Sequence, residues 1–292
     1  MQPDNKNKPA IPKPAWLKRR LPSGPVYEQV CNLLQEVHLH TVCQEARCPN
    51  MWECFSQKTA TFLILGDRCT RNCGFCAVVH GPATPLDSEE PSRVAEAVEK
   101  MALQYVVITS VTRDDLSDGG AGIFAATIKH IRERIPGTSI EVLTPDFMGD
   151  IRCIKKIILA RPDVFNHNVE TVPRLYSLVR PQADYQRSLN VLEIAKNIDP
   201  DIITKSGIML GLGEKEIEVL EAFQDLLSVR CNILTIGQYL QPTKQHLPVM
   251  RFVPPEEFQK LRDEAIRMGF DEVAAGPFVR SSYHAKELFE AI

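Results

Sequence analysis

No apolar run in this 292-residue sequence approaches the roughly 18 residues that a membrane span needs. Neither sign of charge is in surplus. The 34 Lys and Arg against 37 Asp and Glu leave a net charge of −3, with no bulk pull toward nucleic acid or acidic membranes. The opening MQPDNKNKPAIPKPAWLKRR lacks the apolar core and small-residue cleavage site of a secretory signal, and its prolines oppose an amphipathic transit helix. The expected address is therefore cytoplasmic, with an organellar stroma or matrix as the alternative. Beyond this arm there is no repeat and no low-complexity tract. The 44% hydrophobic and 24% charged content is that of an ordinary soluble globular enzyme.

An even cysteine count is also missing. There are nine cysteines, and in a chain without a secretory signal an odd total argues against a disulfide framework. Cys31, Cys153 and Cys231 read as scattered small hydrophobes. The other six fall within 34 positions, from Cys43 to Cys76, a density that points to metal ligation.

Residues 1–25 carry six prolines and read as an extended arm. A short helix is expected from Val26 to about His38, followed by a loop-like stretch holding the first three cysteines. From residue 60 apolar β-rich runs alternate with helical patterns. The runs are 60–66, 105–110, 139–144, 163–170, 203–210 and 232–240. The helical patterns lie near 92–103, 121–134, 151–160, 188–197, 214–228 and 255–268. Ser92, Asp150 and Ser188 stand where N-caps are expected, and Gly269 stands at a helix end. Six strands alternating with helices imply parallel pairing, which a doubly wound sheet and a partial barrel satisfy equally.

Cys69, Cys73 and Cys76 form C-x3-C-x2-C directly after the first expected strand. In a parallel barrel that loop lies on the face where active sites are built. Three thiolates hold three irons of a 4Fe-4S cube and leave the fourth open, whereas electron-transfer ferredoxins supply four cysteines. Zinc sites pair C-x2-C units and use four ligands. Upstream, Cys43, Cys48 and Cys54 form C-x4-C-x5-C, a second group of three whose fourth ligand must come from elsewhere.

The C-x3-C-x2-C run, with Phe75 before its last cysteine, resembles the radical S-adenosylmethionine (radical SAM) superfamily. The upstream group, together with GPFVRSSYHA (276–285), FNHNVETV (165–172), RPQADYQRSL (180–189), KSGIMLGLGE (205–214) and GQYLQPTKQHLPV (237–249), resembles the lipoyl synthase family in particular. The resemblance covers about residues 25–285. It implies an α/β fold, a partial (β/α)6 parallel barrel of radical SAM type with N- and C-terminal extensions. These would divide into an arm and auxiliary-cluster segment at 1–58, a barrel at 59–270, and a C-terminal segment at 271–292 that supplies a serine ligand. The implied cofactors are S-adenosyl-L-methionine and two 4Fe-4S clusters, one on Cys69, Cys73 and Cys76, the other on Cys43, Cys48, Cys54 and Ser282, with Ser281 as the neighbouring possibility. Without the family pattern, the serines before AKELFEAI read as a helix N-cap.

The implied reaction inserts sulfur at the sixth and eighth carbons of a protein-bound octanoyl chain. Each unactivated C–H bond is opened by a 5′-deoxyadenosyl radical, and the auxiliary cluster donates the sulfur. Implied partners are octanoylated lipoyl carrier domains (the 2-oxoacid dehydrogenase E2 and the glycine cleavage H protein) and a one-electron reductant such as ferredoxin or flavodoxin. Neither nucleic acid nor membrane is expected as a partner.

Phe75, Asp118, Gly119, Asn168, Glu170 and Lys205 are the candidate cofactor-binding residues. Gln238 has the same standing as Lys205, and Arg280 is a candidate contact of the auxiliary cluster or the substrate linkage. Two have a plainer reading, Asp118 to Gly120 as a turn before a helix and Glu170 as the ion-pair partner of Arg180 or Arg187; the run Ser206 to Gly213 reads either as backbone approaching an adenine or ribose or as a Gly-rich strand exit. A dry apolar channel is expected for the octanoyl chain. The alternatives are another radical SAM sulfur-insertion or methylthiolation enzyme, a zinc or electron-transfer scaffold, and a scaffold that binds lipoyl domains without modifying them.

Overall fold

The computed structural model describes residues 12–18, 24–56 and 60–292. Most of the N-terminal arm thus lies outside the described residues; within it, Ala15–Leu17 forms one 3-10 turn. Helix α1 (Pro25–Glu36) starts on a proline, which suits the first turn because the missing N–H has no partner there anyway. It leads to β1 (His40–Thr41), α2 (Val42–Glu45), α3 (Met51–Ser56) and β2 (Thr61–Ile64). The stretch expected as loop is therefore partly helical: Cys43 sits in α2 and Cys54 in α3, with Cys48 between them.

The alternation that follows is α4 (Glu90–Met101), β3 (Tyr105–Ser110), α5 (Ala121–Arg134), β4 (Ser139–Leu143), α6 (Ile151–Leu159) and β5 (Val164–Asn166). Then come α7 (Tyr176–Val179), α8 (Tyr185–Ile198), β6 (Ile203–Leu210), α9 (Glu216–Ser228), β7 (Ile233–Gln238), α10 (Pro255–Met268), β8 (Glu272–Gly276) and α11 (Ala285–Glu290). Asp150 caps α6 by accepting the Arg152 amide, and α10 ends at Gly269 with φ 120°. The caps expected at Ser92 and Ser188 fall elsewhere. Both serines lie inside their helices, and Asp184 accepts the Arg187 amide at the true start of α8. An aspartate four residues upstream is an equally good cap, and periodicity cannot set a boundary to one turn.

Among the described residues all eight strands form one sheet in sequence order, parallel from β2 to β8, with β1 antiparallel on the β2 edge. Six of them match the expected runs. The two ends were not foreseen: β1 has two residues, and EVAAG in β8 carries a weak apolar signal. Because β8 continues the parallel sheet, the last strand falls beyond the expected barrel limit at residue 270.

Successive residues of a strand face opposite sides. Val106 and Ile108 point outward into the main core with Val98, Phe124 and Ile128, all essentially buried. Tyr105 and Val107 point inward, where they meet Ala285 and Phe289 of the C-terminal helix. The same C-terminal segment touches Thr61 of β2, Asn168 after β5 and Gly237 of β7. A dozen residues can reach strands so far apart in the order only if the sheet curls around them. The sheet is an open partial barrel, and the C-terminal segment lies against its inner wall.

That wall is polar at depth. Lys205 Nζ lies 3.0 Å from Glu141 Oε2 with both side chains fully buried. Tyr105 donates to the same carboxylate at 2.6 Å and Asn166 Nδ2 to Oε1 at 2.8 Å. Burial, and after it the Glu141 charge, push the Tyr105 hydroxyl up, so it stays a donor.

Candidate active site

The 69–76 loop leaves the C-terminal end of β2 and is tied from several sides. Cys69 N donates to Val79 O at 2.9 Å, Gly74 N to Val179 O at 2.9 Å, and Leu247 N to Gly74 O at 3.0 Å. His246 Nε2 lies 2.9 Å from Cys76 O, and Asn72 N donates to Gln182 Oε1 at 2.7 Å. Cys69 Sγ accepts from the amides of Arg71 and Thr112 at 3.4 and 3.3 Å. Cys69, Cys73 and Cys76 lie close enough for their charges to act on one another, and Glu170 acts on Cys73 and Cys76. Burial pushes Cys73 up to about 11 and Cys76 up to about 12, so without metal both are thiols at neutral pH.

The second group is assembled from both ends of the chain. Cys43 senses the charge of Cys48, and Cys54 that of Cys43 and then Cys48; burial first, then these neighbours, push Cys43 and Cys54 up to about 12. Thr61 hydrogen-bonds Cys43 through both amide and hydroxyl. The same hydroxyl donates to Ser282 Oγ at 2.8 Å. Two flanking contacts hold the ends together: Asn50 Nδ2 donates to Phe278 O at 2.6 Å, and Tyr283 OH to Glu53 Oε1 at 3.1 Å. Ser281 faces the other way and accepts from Asn168 Nδ2 at 2.6 Å, an amide that also donates to Glu170 Oε1 at 3.0 Å. Arg280 lies near both sites. Burial lowers its pKa, while the charges of Cys48 and Glu170 oppose that shift. The serines do not cap α11, because His284 occupies that position with φ 51°.

The remaining candidates separate by what they touch. Phe75 packs, half-buried, against the main core. Asp118 accepts the amides of Gly120 and Gly122 at 3.0 Å each and pairs with Lys156 at 2.9 Å, so its carboxylate holds the start of α5. Gly119 has φ 57°, and a Cβ there would meet the Phe147 ring at 2.8 Å. Lys205 is bound to Glu141 on the inner wall. Gln238 is fully satisfied by backbone: its Nε2 donates to the carbonyls of Leu210, Tyr239 and Arg251, and its Oε1 accepts Val253 N. It therefore tethers the loop after β7 and has no polar atom left for a ligand. Glu170 makes no ion pair with Arg187; Arg180 acts on it only through charge, and burial raises its pKa.

Two observations bear on whether iron–sulfur clusters and S-adenosylmethionine fit. Among the described residues no three His, Cys, Asp or Glu side chains converge where one metal ion could be held. A cube needs no such convergence, because each thiolate takes a separate iron. Beside the first triad, Asn168 Oδ1 is buried without a hydrogen-bond partner. Gly207 keeps its surroundings open, since a Cβ there would lie 2.9 Å from this oxygen and 2.6 Å from Thr235 Oγ1. A ligand N–H or O–H would satisfy the orphaned oxygen. The donor set fits both groups.

Arg71, Thr112, Thr61, Asn50 and His246 were not legible as site residues. Arg71 and Asn50 carried a signal, since each lies between two cysteines, but their partners are far away in sequence.

The radical SAM superfamily description matches residues 63–226, and that of the N-terminal domain of lipoyl synthase matches residues 2–48. The chain is 58% identical over 278 residues to the lipoyl synthase of Rubrobacter xylanophilus, covering 95% of this chain and 87% of that one. It is 55% identical to the lipoyl synthase of Thermus thermophilus, covering 95% and 86%. Among solved structures, methylornithine synthase superposes with a TM-score of 0.54 at 14% identity over 85% of each chain. Coproporphyrinogen III oxidase from Escherichia coli, a radical SAM enzyme, superposes with a TM-score of 0.52 at 11% identity, covering 70% of this chain and 51% of that one; at such identities the likeness is one of fold.

Proposed function

The chain belongs to the lipoyl synthase family of radical SAM enzymes, and from that premise we propose how its residues share the work. When bound, S-adenosylmethionine and the two clusters supply the hydrogen-abstracting radical and the sulfur for the octanoyl chain. Cys69, Cys73 and Cys76 hold one cluster and leave one iron without a protein ligand. Asn168 and Glu170 face S-adenosylmethionine, with Phe75 packing beneath the loop. Asp118 and Gly119 shape the wall of that pocket, and Lys205 stiffens its floor from below. Cys43, Cys48, Cys54 and Ser282 hold the auxiliary cluster. Residues 1–58, 59–270 and 271–292 then act as cluster segment, barrel and serine-bearing tail, with β8 lending the tail its anchor.

The observation that carries this reading is the path from Cys43 through Thr61 to Ser282, with Asn168 joining Ser281 to Glu170. A hydroxyl is a harder, weaker ligand for iron–sulfur than thiolate, which suits a cluster that must be opened to give up sulfur. The acceptors are octanoylated lipoyl carrier domains, including the E2 and H proteins. The electron comes from a small one-electron carrier of the ferredoxin or flavodoxin type, and the setting is cytoplasmic. Among the described residues no helix is long and apolar enough to cross a membrane.

The test is iron and labile sulfide per chain after anaerobic reconstitution, followed by thiolation of an octanoyl-lysine peptide. About eight of each, two cubes, with a dithiolated product supports the reading. About four sinks the sulfur-donor role, and zinc in place of iron sinks the whole scheme.

A further inference from the structure

Arg71 stands two residues after Cys69 and two before Cys73, yet it is 4% exposed. Its Nε donates to Asp114 Oδ2 at 2.7 Å, and its Nη2 donates to Asp114 Oδ1 at 2.9 Å and to Asp146 Oδ1 at 2.6 Å. The two carboxylates come from different loops, one after β3 and one after β4. A planar guanidinium suits such a two-sided grip, because its donors are fixed in one fork.

The Asp146 side of the grip is built at a cost. Asp146 is fully buried and is followed by Phe147, Met148 and Gly149 at φ 46°, 52° and 81°. Two non-glycine residues in the left-handed region persist only where surroundings over-determine them. Here Asp146 Oδ1 also accepts Met148 N at 3.1 Å, and Arg71 and Arg187 both reach Met148 Sδ, at 3.2 and 3.0 Å. The grip connects directly to the thiols. Arg71 N and Thr112 N both donate to Cys69 Sγ, and Asp114 N donates to Thr70 Oγ1 at 3.1 Å.

We propose that Arg71 is a positioning residue: its clamp on Asp114 and Asp146 holds the C-x3-C loop in its ligating shape before metal arrives. The inference rests on the assignment of Cys69, Cys73 and Cys76 as cluster ligands. Arg71 does not touch the reacting atoms; it acts through the two cysteines that flank it. Lysine keeps the charge but loses the fork, so R71K should fail where a general need for a buried cation would be met.

The test compares the full-length chain with R71K, D146N and, as control, R152K, whose arginine sits 85% exposed in a pair with Asp150. In metal-free protein, alkylation by iodoacetamide is followed cysteine by cysteine with mass mapping. The expected result is roughly tenfold faster modification of Cys69 and Cys73 in R71K and D146N, as a released local order allows, with Cys43, Cys48 and Cys54 unchanged. After reconstitution, the electron paramagnetic resonance signal of the reduced cluster should lose its response to S-adenosylmethionine in both variants and keep it in R152K. Unchanged rates at Cys69 and Cys73 overturn the proposal, as does equal acceleration at all six cysteines, which marks general loosening. Should the unaltered chain take up no iron, the ligand assignment fails, and the alkylation pattern separately reports the clamp.

Discussion

The two cysteine groups solve the same problem in opposite ways. Cys69, Cys73 and Cys76 sit on one loop, eight residues from end to end, and the barrel only has to hold that loop still. Cys43, Cys48 and Cys54 are spread over α2, α3 and the turn between them, and their proposed fourth ligand comes from more than 220 residues away. The first site is local and is stiffened by buried charge, Arg71 with Asp114 and Asp146. The second depends on the two ends of the chain meeting, through Asn50, Glu53 and Thr61 on one side and Phe278, Ser282 and Tyr283 on the other. A local site survives disturbance of the chain ends, whereas a site made by those ends does not.

The largest expected effect separates the two groups outright. Cys73→Ala should remove cleavage of S-adenosylmethionine altogether. Cys48→Ala should leave cleavage measurable and abolish only sulfur insertion. Quantifying 5′-deoxyadenosine beside thiolated peptide distinguishes them; equal loss of both in the two variants would dissolve the comparison.

Next comes the polar floor on which the C-terminal helix rests. Lys205→Met leaves the Glu141 carboxylate buried and unpaired and should cost about 3–5 kcal/mol in a denaturant melt, whereas Lys205→Met with Glu141→Leu should recover most of it. The single variant should also loosen Phe289 from Tyr105 and weaken the auxiliary site more than the first. Full stability in the single variant would remove the floor from the account.

Acid should act through His167, which directly follows β5 and is buried with its Nδ1 2.8 Å from Thr144 O. Burial, then the charge of Arg180, hold His167 down at about 4, so the folded chain carries it neutral. Its folded value lies below the unfolded one, so the stability it contributes is present above about pH 6.5. That stability is lost as pH falls toward 4, and it amounts to about 3 kcal/mol. Asp146 behaves likewise further down. Burial would raise its carboxyl, but the Arg71 bond and charge bring it to about 2, so its contribution fades between the ordinary value near 3.8 and 2. A His167→Gln variant should flatten the stability profile between about pH 6.5 and 4. An unchanged slope would count against the assignment.

The smallest effect sharpens the second site. Thr61→Val removes the hydroxyl that joins Cys43 to Ser282 and should cost about 1 kcal/mol of stability. Iron at the auxiliary site should become more easily chelated, with the first site untouched. Iron release to a chelator, followed in both proteins, checks this.

Much of the protein was legible before any coordinates. The six expected strands and their helices follow from period-two and period-3.6 apolar patterns, because a parallel strand buried on both faces must be apolar nearly throughout. The two cysteine spacings are local features, and local features survive in a linear sequence. The partners of Gln238 and Lys205 were hidden for the same reason Arg71 was overlooked. A polar residue at a strand end or in a loop looks alike whether it faces a ligand or a distant carboxylate, and only the fold supplies the partner.

The sequence by itself determined the two cysteine spacings, the central alternation of strands and helices, and the family. Tertiary structure decided that the sheet stays open and curls around the C-terminal segment, that Ser282 turns toward Thr61 while Ser281 turns toward Asn168, and that Lys205 pairs with Glu141. The physical reason is one of range. Propensity and spacing act over a few residues, whereas burying a charge or seating a hydroxyl requires partners that only chain closure brings together.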